Sequence, residues 1–173
     1  DLGFNIVGVV EPDVTRASRI VKQLRLLVFS CLQDANKIKN SYDTVLIASP
    51  DETHELYLRH FLKAKSIKTI ICEKPLTTKK SFLEKAVFKS IDQKRVYLNL
   101  TRRFSLDHDC LSKMKDLDPN KVRSITVNYS KGILHNGIHA FDLIIPFLKD
   151  EFKAAKIEEF IDFRSDDPTI SAV

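Results

Sequence analysis

Short apolar runs, each closed by a polar cluster, constrain this chain more than any other feature. Phe4 to Val10 holds Phe4, Ile6, Val7, Val9 and Val10 almost without interruption and stops at Glu11-Pro12-Asp13. Thr44 to Ala48 reads Thr-Val-Leu-Ile-Ala and runs into Ser49-Pro50-Asp51-Glu52. Ile67 to Cys72 ends at Glu73-Lys74-Pro75, and Val96 to Leu100 ends at Thr101-Arg102-Arg103. Runs of this length without alternation predict strands buried on both faces. Segments of helical period lie between them. Ala17, Ile20, Val21 and Leu24 form one stripe. Leu58, Phe61 and Leu62 form a second, with Glu55, Arg59 and Lys63 outward. Phe82, Leu83, Ala86, Val87 and Ile91 form a third, opposite Glu84, Lys85 and Lys89. This alternation predicts an α/β fold built on a doubly wound parallel sheet. Ser49 is expected to cap the second helix, with Pro50 at its first position and Glu52 completing a capping box. Thr77 or Thr78 is expected to open the third.

The texture changes after Phe104. Val122, Ile125, Val127 and Tyr129 interleave with polar residues, which predicts a strand over Val122–Tyr129 with one wet face. A helix is expected near Gly137 to Leu148, capped by Asn136. Short strands are expected at Glu159–Phe163 and Thr169–Val173. Two units follow, residues 1–104 and 105–173. The apolar fraction of 43% and the net charge of +5, from 28 Lys+Arg against 23 Asp+Glu, exclude a disordered chain. No apolar run approaches the about 18 residues that span a bilayer, so no membrane partner is expected. The basic residues are scattered, which fits a solvated surface rather than a nucleic-acid face. Three cysteines cannot pair completely, and reduced thiols in the cytoplasm are the simpler reading. The chain starts at Asp1 and stops inside an apparent strand, so truncation at both ends is expected.

Ligands of open parallel sheets sit beyond the carboxyl ends of the strands. Glu11 there can accept hydrogen bonds from ribose hydroxyls and repel a 2′-phosphate, favouring NAD over NADP; the alternative is a solvated turn acid. Lys74 precedes a proline and is held extended. Its amine can reach over the crevice as a general acid or base, with Glu73 orienting it or touching ribose; the alternative is a surface Glu-Lys pair. His135 and His139 have the spacing of a helical metal site. Asn136-Gly137 interrupts that helix and no third ligand is evident, so no metal is expected; His108-x-Cys110 is an equally weak signal. His139 serves better as a proton-transfer group near a helix N-terminus, with a structural histidine as the competitor.

Ser49-Pro50 with His54, then Glu73-Lys74-Pro75, then Arg102-Arg103-Phe104, then Gly132-Ile-Leu-His-Asn-Gly-Ile-His139-Ala-Phe-Asp142 together resemble the Gfo/Idh/MocA oxidoreductases. The resemblance runs from Phe4 to about Asp142 and more loosely through Asp166-Asp167-Pro168-Thr169. It implies a Rossmann-type domain followed by part of an α+β domain with a mostly antiparallel sheet. It implies hydride transfer between NAD, or NADP, and a sugar, nucleotide-sugar or cyclitol alcohol, in a homo-oligomer. A non-catalytic, ligand-sensing relative is the alternative. By resemblance Lys74 and His139, with His135, are catalytic. Glu11, Ser49, Pro50, His54, Glu73, Lys74 and Arg103 lie along the cofactor or the site wall, and Asp142 holds its domain together. Two departures stand out. Many members carry Asp where this chain has His135, a variant that resembles a branch of nucleotide- or surface-sugar metabolism. The family's Gly-x-Gly-x-x-Gly turn has no counterpart, since the glycines are Gly3, Gly8, Gly132 and Gly137. The backbone cradle for a pyrophosphate cannot be built from these residues.

Overall fold

The apolar runs become parallel strands, in two sheets rather than one. A computed structural model describes residues 3, 5–79, 81–82, 95–105, 113, 116–147, 157–161 and 167–172. β1 (Val9–Val10) pairs in parallel with β2 (Val28–Phe29). Between them runs α1 (Val14–Leu24), opened by the Asp13 side chain, which accepts the Arg16 N–H. α2 (Leu32–Ala35) and the 3₁₀ turn Asn36–Ser41 lead to the second sheet. There β3 (Thr44–Ile47), β4 (Thr69–Glu73) and β5 (Arg95–Asn99) lie in that order, all parallel. Ile47 stands beside Cys72, and Glu73 beside Asn99, so the carboxyl ends of the strands form one edge.

α3 (Asp51–Lys63) returns the chain from β3 to β4. It lays Leu58 and Phe61 against Ile47, Ile70 and Cys72, and Ile67 and Phe82 complete the buried core. Burying side chains of this size contributes about 1.5–3 kcal/mol each. The same burial acts on the Cys72 thiol. Desolvation first, then the charges of Glu73 and Asp51, push its pKa up to about 11. Arg59 and Glu55, expected to face outward, are half-buried instead: they pair at 2.9 Å and the Arg59 guanidinium lies 4.8 Å from the centre of the buried Phe82 ring.

Several expectations need correction. Only Val9–Val10 of the first run pairs; residues 5–8 have no ladder partner among the described residues. Their partner strand β2 is two residues long, too short to show a period. Ser49 is not the cap of α3. Pro50 takes the N-cap position in an extended conformation, ψ 144°, with no side-chain cap bond, so the helix starts one residue later. The Ser49 hydroxyl instead accepts from the Thr53 hydroxyl at 2.7 Å. Val122–Tyr129 forms no ladder among the described residues. The Tyr129 phenol, not its backbone, engages the last strand: it donates to the Ile170 carbonyl at 3.1 Å and accepts the Ile170 N–H at 3.3 Å.

The later helix begins earlier than expected. α4 (Arg102–Ser105) follows β5. A π-helical turn, Ile133–Gly137, then enters α5 (Ile138–Ile144), which ends in the 3₁₀ turn Ile145–Phe147. Asn136 lies inside the π turn, where its amide donates to the Ser130 carbonyl at 2.7 Å, so it is not the cap. β6 (Ile157–Phe160) and β7 (Ile170–Ala172) pair antiparallel. The stripe from Leu83 to Ile91, His108 and Cys110, Leu148, and Asp166 lie outside the described residues. No helix among the described residues is long and apolar enough to cross a membrane.

Leu58→Ala or Ile70→Ala should lower unfolding free energy by about 2–5 kcal/mol, read by urea denaturation. Leu56→Ser, on the exposed face of α3, should stay within about 0.5 kcal/mol of the parent. Equal effects from the buried and exposed changes would contradict the packing of α3 on the sheet. A thiol reagent at neutral pH should leave Cys72 unmodified until the chain unfolds; modification of Cys72 in the native state would contradict its burial.

Candidate active site at the carboxyl edge of the sheet

Three chain turns meet at the edge beyond β3, β4 and β5. The turn after β3 carries Ser49 and Pro50, and the first turn of α3 carries His54. The His54 ring is completely buried. Its Nδ1 lies 2.7 Å from the Pro75 carbonyl and its Nε2 lies 2.8 Å from the Ser49 carbonyl. Carbonyl oxygens only accept, so the ring nitrogen that carries the proton donates to one of them, and the ring lies between both. His54 therefore ties the turn after β3 to the turn after β4. It has no ring nitrogen left for a ligand, which removes it as a direct hydrogen-bonding partner of a cofactor.

Glu73 closes β4, and Lys74 follows it across a cis bond to Pro75. The Glu73 carboxylate accepts from the Asn99 amide of β5 at 2.5 Å. Asn99 was not singled out from the sequence; its place at the end of a strand, level with Glu73, is the signal that could have marked it. Lys74 is half-buried, and among the described residues its ammonium has no hydrogen-bond or ion-pair partner.

His139, near the start of α5, is buried, and among the described residues its Nδ1 has no hydrogen-bond partner. Burial first, then the charges of Lys74 and Arg102, lower its pKa; Asp142 and Glu73 pull weakly the other way. Each of those groups is thus near enough to act on the ring. The charges of Glu73 of β4, Lys74 of the turn after it, Arg102 of α4 and Asp142 of α5 all reach the His139 ring. Arg103 of α4 makes a two-pronged pair with the buried Asp142 carboxylate through Nε and Nη2. Asp142 raises the Arg103 pKa by that hydrogen bonding. Arg103 thereby fastens α4 to α5, and this donor fork faces Asp142 rather than a ligand.

Two other residues are placed apart. Glu11 sits beyond β1, on the other sheet, and among the described residues no ladder joins β1 to β3. Its carboxylate accepts from the Asp13 N–H at 2.9 Å and from Arg16 at 3.0 and 3.1 Å. The Arg16 hydrogen bond is the main reason its pKa is lowered. It borders an open hollow of about 390 Å³ lined by Pro12, Ala17, Val21, Val28 and Ser30 among others. His135 stands one turn before His139, with its Nδ1 2.6 Å from the Asp167 carboxylate. Among the described residues no three His, Cys, Asp or Glu side chains converge as a metal site.

The Gfo/Idh/MocA family, described as an oxidoreductase family with an NAD-binding Rossmann fold, matches residues 2–99. The chain belongs to this family. Inositol 2-dehydrogenase of Corynebacterium glutamicum (strain R) is 28% identical over 161 residues, which cover 84% of this chain and 47% of that protein. Among solved structures, myo-inositol 2-dehydrogenase from Lactobacillus plantarum superimposes with a TM-score of 0.68 at 17% identity, over 84% of this chain and 49% of that one. The WlbA dehydrogenase from Chromobacterium violaceum, in complex with NADH and UDP-GlcNAcA, gives a TM-score of 0.52 at 19% identity, over 64% of this chain and 32% of that one. These structures share the α/β, Rossmann-like fold. The chain spans about half the length of the inositol dehydrogenases it matches.

The charged form of His139 is disfavoured in the fold, so the unfolded chain binds that proton more readily. Its contribution to stability is intact above the ordinary imidazole value of 6.5 and is lost as pH falls from there through the lowered folded value. Thermal unfolding followed across that range should show the slope, and His139→Gln should flatten it. An identical slope in both proteins would mean that His139 is not a buried neutral ring.

Proposed function

We propose that this chain is the coenzyme-facing part of an NAD-dependent dehydrogenase acting on a cyclitol, sugar or nucleotide-sugar alcohol. The observation that carries the proposal is the buried His139 ring within electrostatic reach of Lys74, which follows β4, in a chain of an NAD-binding oxidoreductase family. The residues present fit the nicotinamide end of the coenzyme: among the described residues the Lys74 ammonium beyond β4 and the buried Nδ1 of His139 have no hydrogen-bond partner, and such sheets bind ligands beyond the carboxyl ends of their strands. The phosphate cradle is not among these residues, since no Gly-x-Gly-x-x-Gly motif occurs in them. When bound, the coenzyme supplies the hydride acceptor.

The chain's own residues manage position and one proton. Oxidation of a carbinol moves its hydride away and leaves its hydroxyl proton to be placed. Lys74 in its amine form accepts that proton, and in the reverse direction its ammonium form returns it. His139, held neutral by burial and by the neighbouring cations, hydrogen-bonds the same oxygen or its neighbour without adding a charge. Glu73, beside Lys74 at the end of β4, is held by the Asn99 amide. His54 acts through the backbone, by holding the Pro75 and Ser49 carbonyls. Ser49 and Pro50 form the adjoining wall, and Arg103 supports it through Asp142.

Glu11 is assigned to the adenosine ribose. Its carboxylate disfavours a 2′-phosphate, which supports NAD over NADP, and Arg16 holds it in place. Residues 1–104 form the dinucleotide unit in this reading, and 105–173 belong to the substrate and oligomer unit of a homo-oligomer. Free thiols at Cys31 and Cys72 support a reducing compartment such as the cytoplasm.

The test is NAD reduction with a panel of cyclitols, sugars and nucleotide sugars. Lys74→Ala should lower kcat roughly 10²- to 10⁴-fold while leaving NADH affinity within a few-fold. NADH binding without turnover on any alcohol would favour the ligand-sensing alternative. Glu11→Ser should raise the preference for NADP by freeing Arg16 to meet the 2′-phosphate; an unchanged coenzyme ratio would remove Glu11 from the ribose.

A further inference from the structure

The segment Asp167-Pro168-Thr169 is bound against the start of the helix that carries His139. Four successive backbone N–H groups there would otherwise lack partners. The Gly132 N–H donates to the Thr169 hydroxyl at 3.0 Å, and the Ile133 N–H to the Pro168 carbonyl at 3.2 Å. The Leu134 N–H donates to Asp167 Oδ1 at 2.8 Å, and the His135 N–H to Asp167 Oδ2 at 2.9 Å. Gly132 is needed for this approach. Its φ is +88°, and a Cβ there would lie 2.0 Å from Asp167 Oδ2. Capping is complete with these four bonds.

Asp167 makes one contact more than capping requires. Oδ2 also lies 2.6 Å from Nδ1 of the His135 ring. Asp167 is buried, and burial by itself raises its carboxyl pKa. The Leu134 and His135 N–H groups and the His135 ring outweigh that effect and hold it below the usual range. The group is therefore a carboxylate at neutral pH, and an ionised carboxylate only accepts. Nδ1 must then carry a proton. In the neutral ring Nε2 is left bare, on a side chain 45% exposed and one turn from His139.

We propose that Asp167 is a positioning residue of the active site, one that fixes the His135 ring with Nδ1 protonated and Nε2 presented as a hydrogen-bond acceptor for the hydroxyl groups of a polyol substrate. The proposal rests on the dehydrogenase reading above and deepens it. A carboxylate at position 135 would place a negative charge directly in the site. The His135–Asp167 pair instead presents a neutral acceptor and keeps the charge buried behind it. If the ring takes a proton from substrate at Nε2, that proton comes from the hydroxyl and the resulting imidazolium is paired with Asp167. Such a pair suits a substrate rich in neighbouring hydroxyls, and it tolerates an acidic substituent better than a bare carboxylate would.

The experiment is ¹⁵N NMR of the histidine rings in the 173-residue chain, with His135 assigned by His135→Ala. The neutral His135 ring should show a protonated Nδ1 and a bare Nε2, and Asp167→Asn should abolish that preference. A wild-type ring protonated at Nε2 alone, or exchanging freely between both forms, overturns the proposal. His135→Ala leaves both Asp167 capping bonds in place and should fold like the parent even if Asp167→Asn does not. In the dehydrogenase assay each substitution should lower kcat roughly 10- to 100-fold, as loss of an orienting partner does elsewhere. The double variant should lose no more than either alone. Unchanged turnover in folded His135→Ala also overturns the proposal. An absence of turnover in the parent strikes the dehydrogenase reading instead, and the ring spectrum still decides the orientation of His135.

Discussion

The Ser49 and Pro75 carbonyls converge on one buried imidazole, and the geometry of the sheet edge depends on that convergence. Neither turn belongs to a ladder. Without His54, the carbonyl that takes the ring's proton would lose its donor, at about 1–3 kcal/mol. With it, the residue that follows β4 is set against the residue that follows β3, and the Lys74 backbone is fixed at the rim. His54 reaches this place because it is on the buried face of α3 with Leu58 and Phe61. The hydrophobic contact that seats the helix on β3 and β4 also delivers the ring.

A second joint links this edge to the helix that brings His139. Arg103 and Asp142 form a two-pronged ion pair between α4 and α5, with the carboxylate buried and the guanidinium at the surface. Removal of Arg103 would leave a buried negative charge uncompensated, which costs more than the pair itself contributes. The Asp167-Pro168-Thr169 segment holds the other end of the same helix. α5 is thus fixed near both the substrate edge and the capping segment, and its short length is no obstacle to holding a ring in place.

Part of this was legible from residue order. The runs Thr44–Ala48 and Ile67–Cys72 announced strands because buried parallel strands need unbroken apolar sequence, and β3 and β4 fall within two residues of them. The Leu58 and Phe61 stripe announced the buried face of α3. The first strand was overestimated because an apolar run states burial, not a hydrogen-bonding partner. Val122–Tyr129 has no ladder partner among the described residues: alternation describes a surface that could pair, while pairing needs a second backbone alongside. Asn136 looked like a cap because the signal for capping is local, and the real cap comes from residues far along the chain.

Residue order alone determined that polar groups would gather at one edge of a parallel sheet: each buried strand must end in residues that can leave the core, and parallel strands end on the same side. Tertiary structure alone decided which of those groups meet. His54 turned inward to two carbonyls, Glu73 turned to Asn99, and Asp167 reached His135 across 32 positions. Hydrogen bonds between distant segments follow no period and leave no spacing to read, because their geometry is set only when the elements have packed.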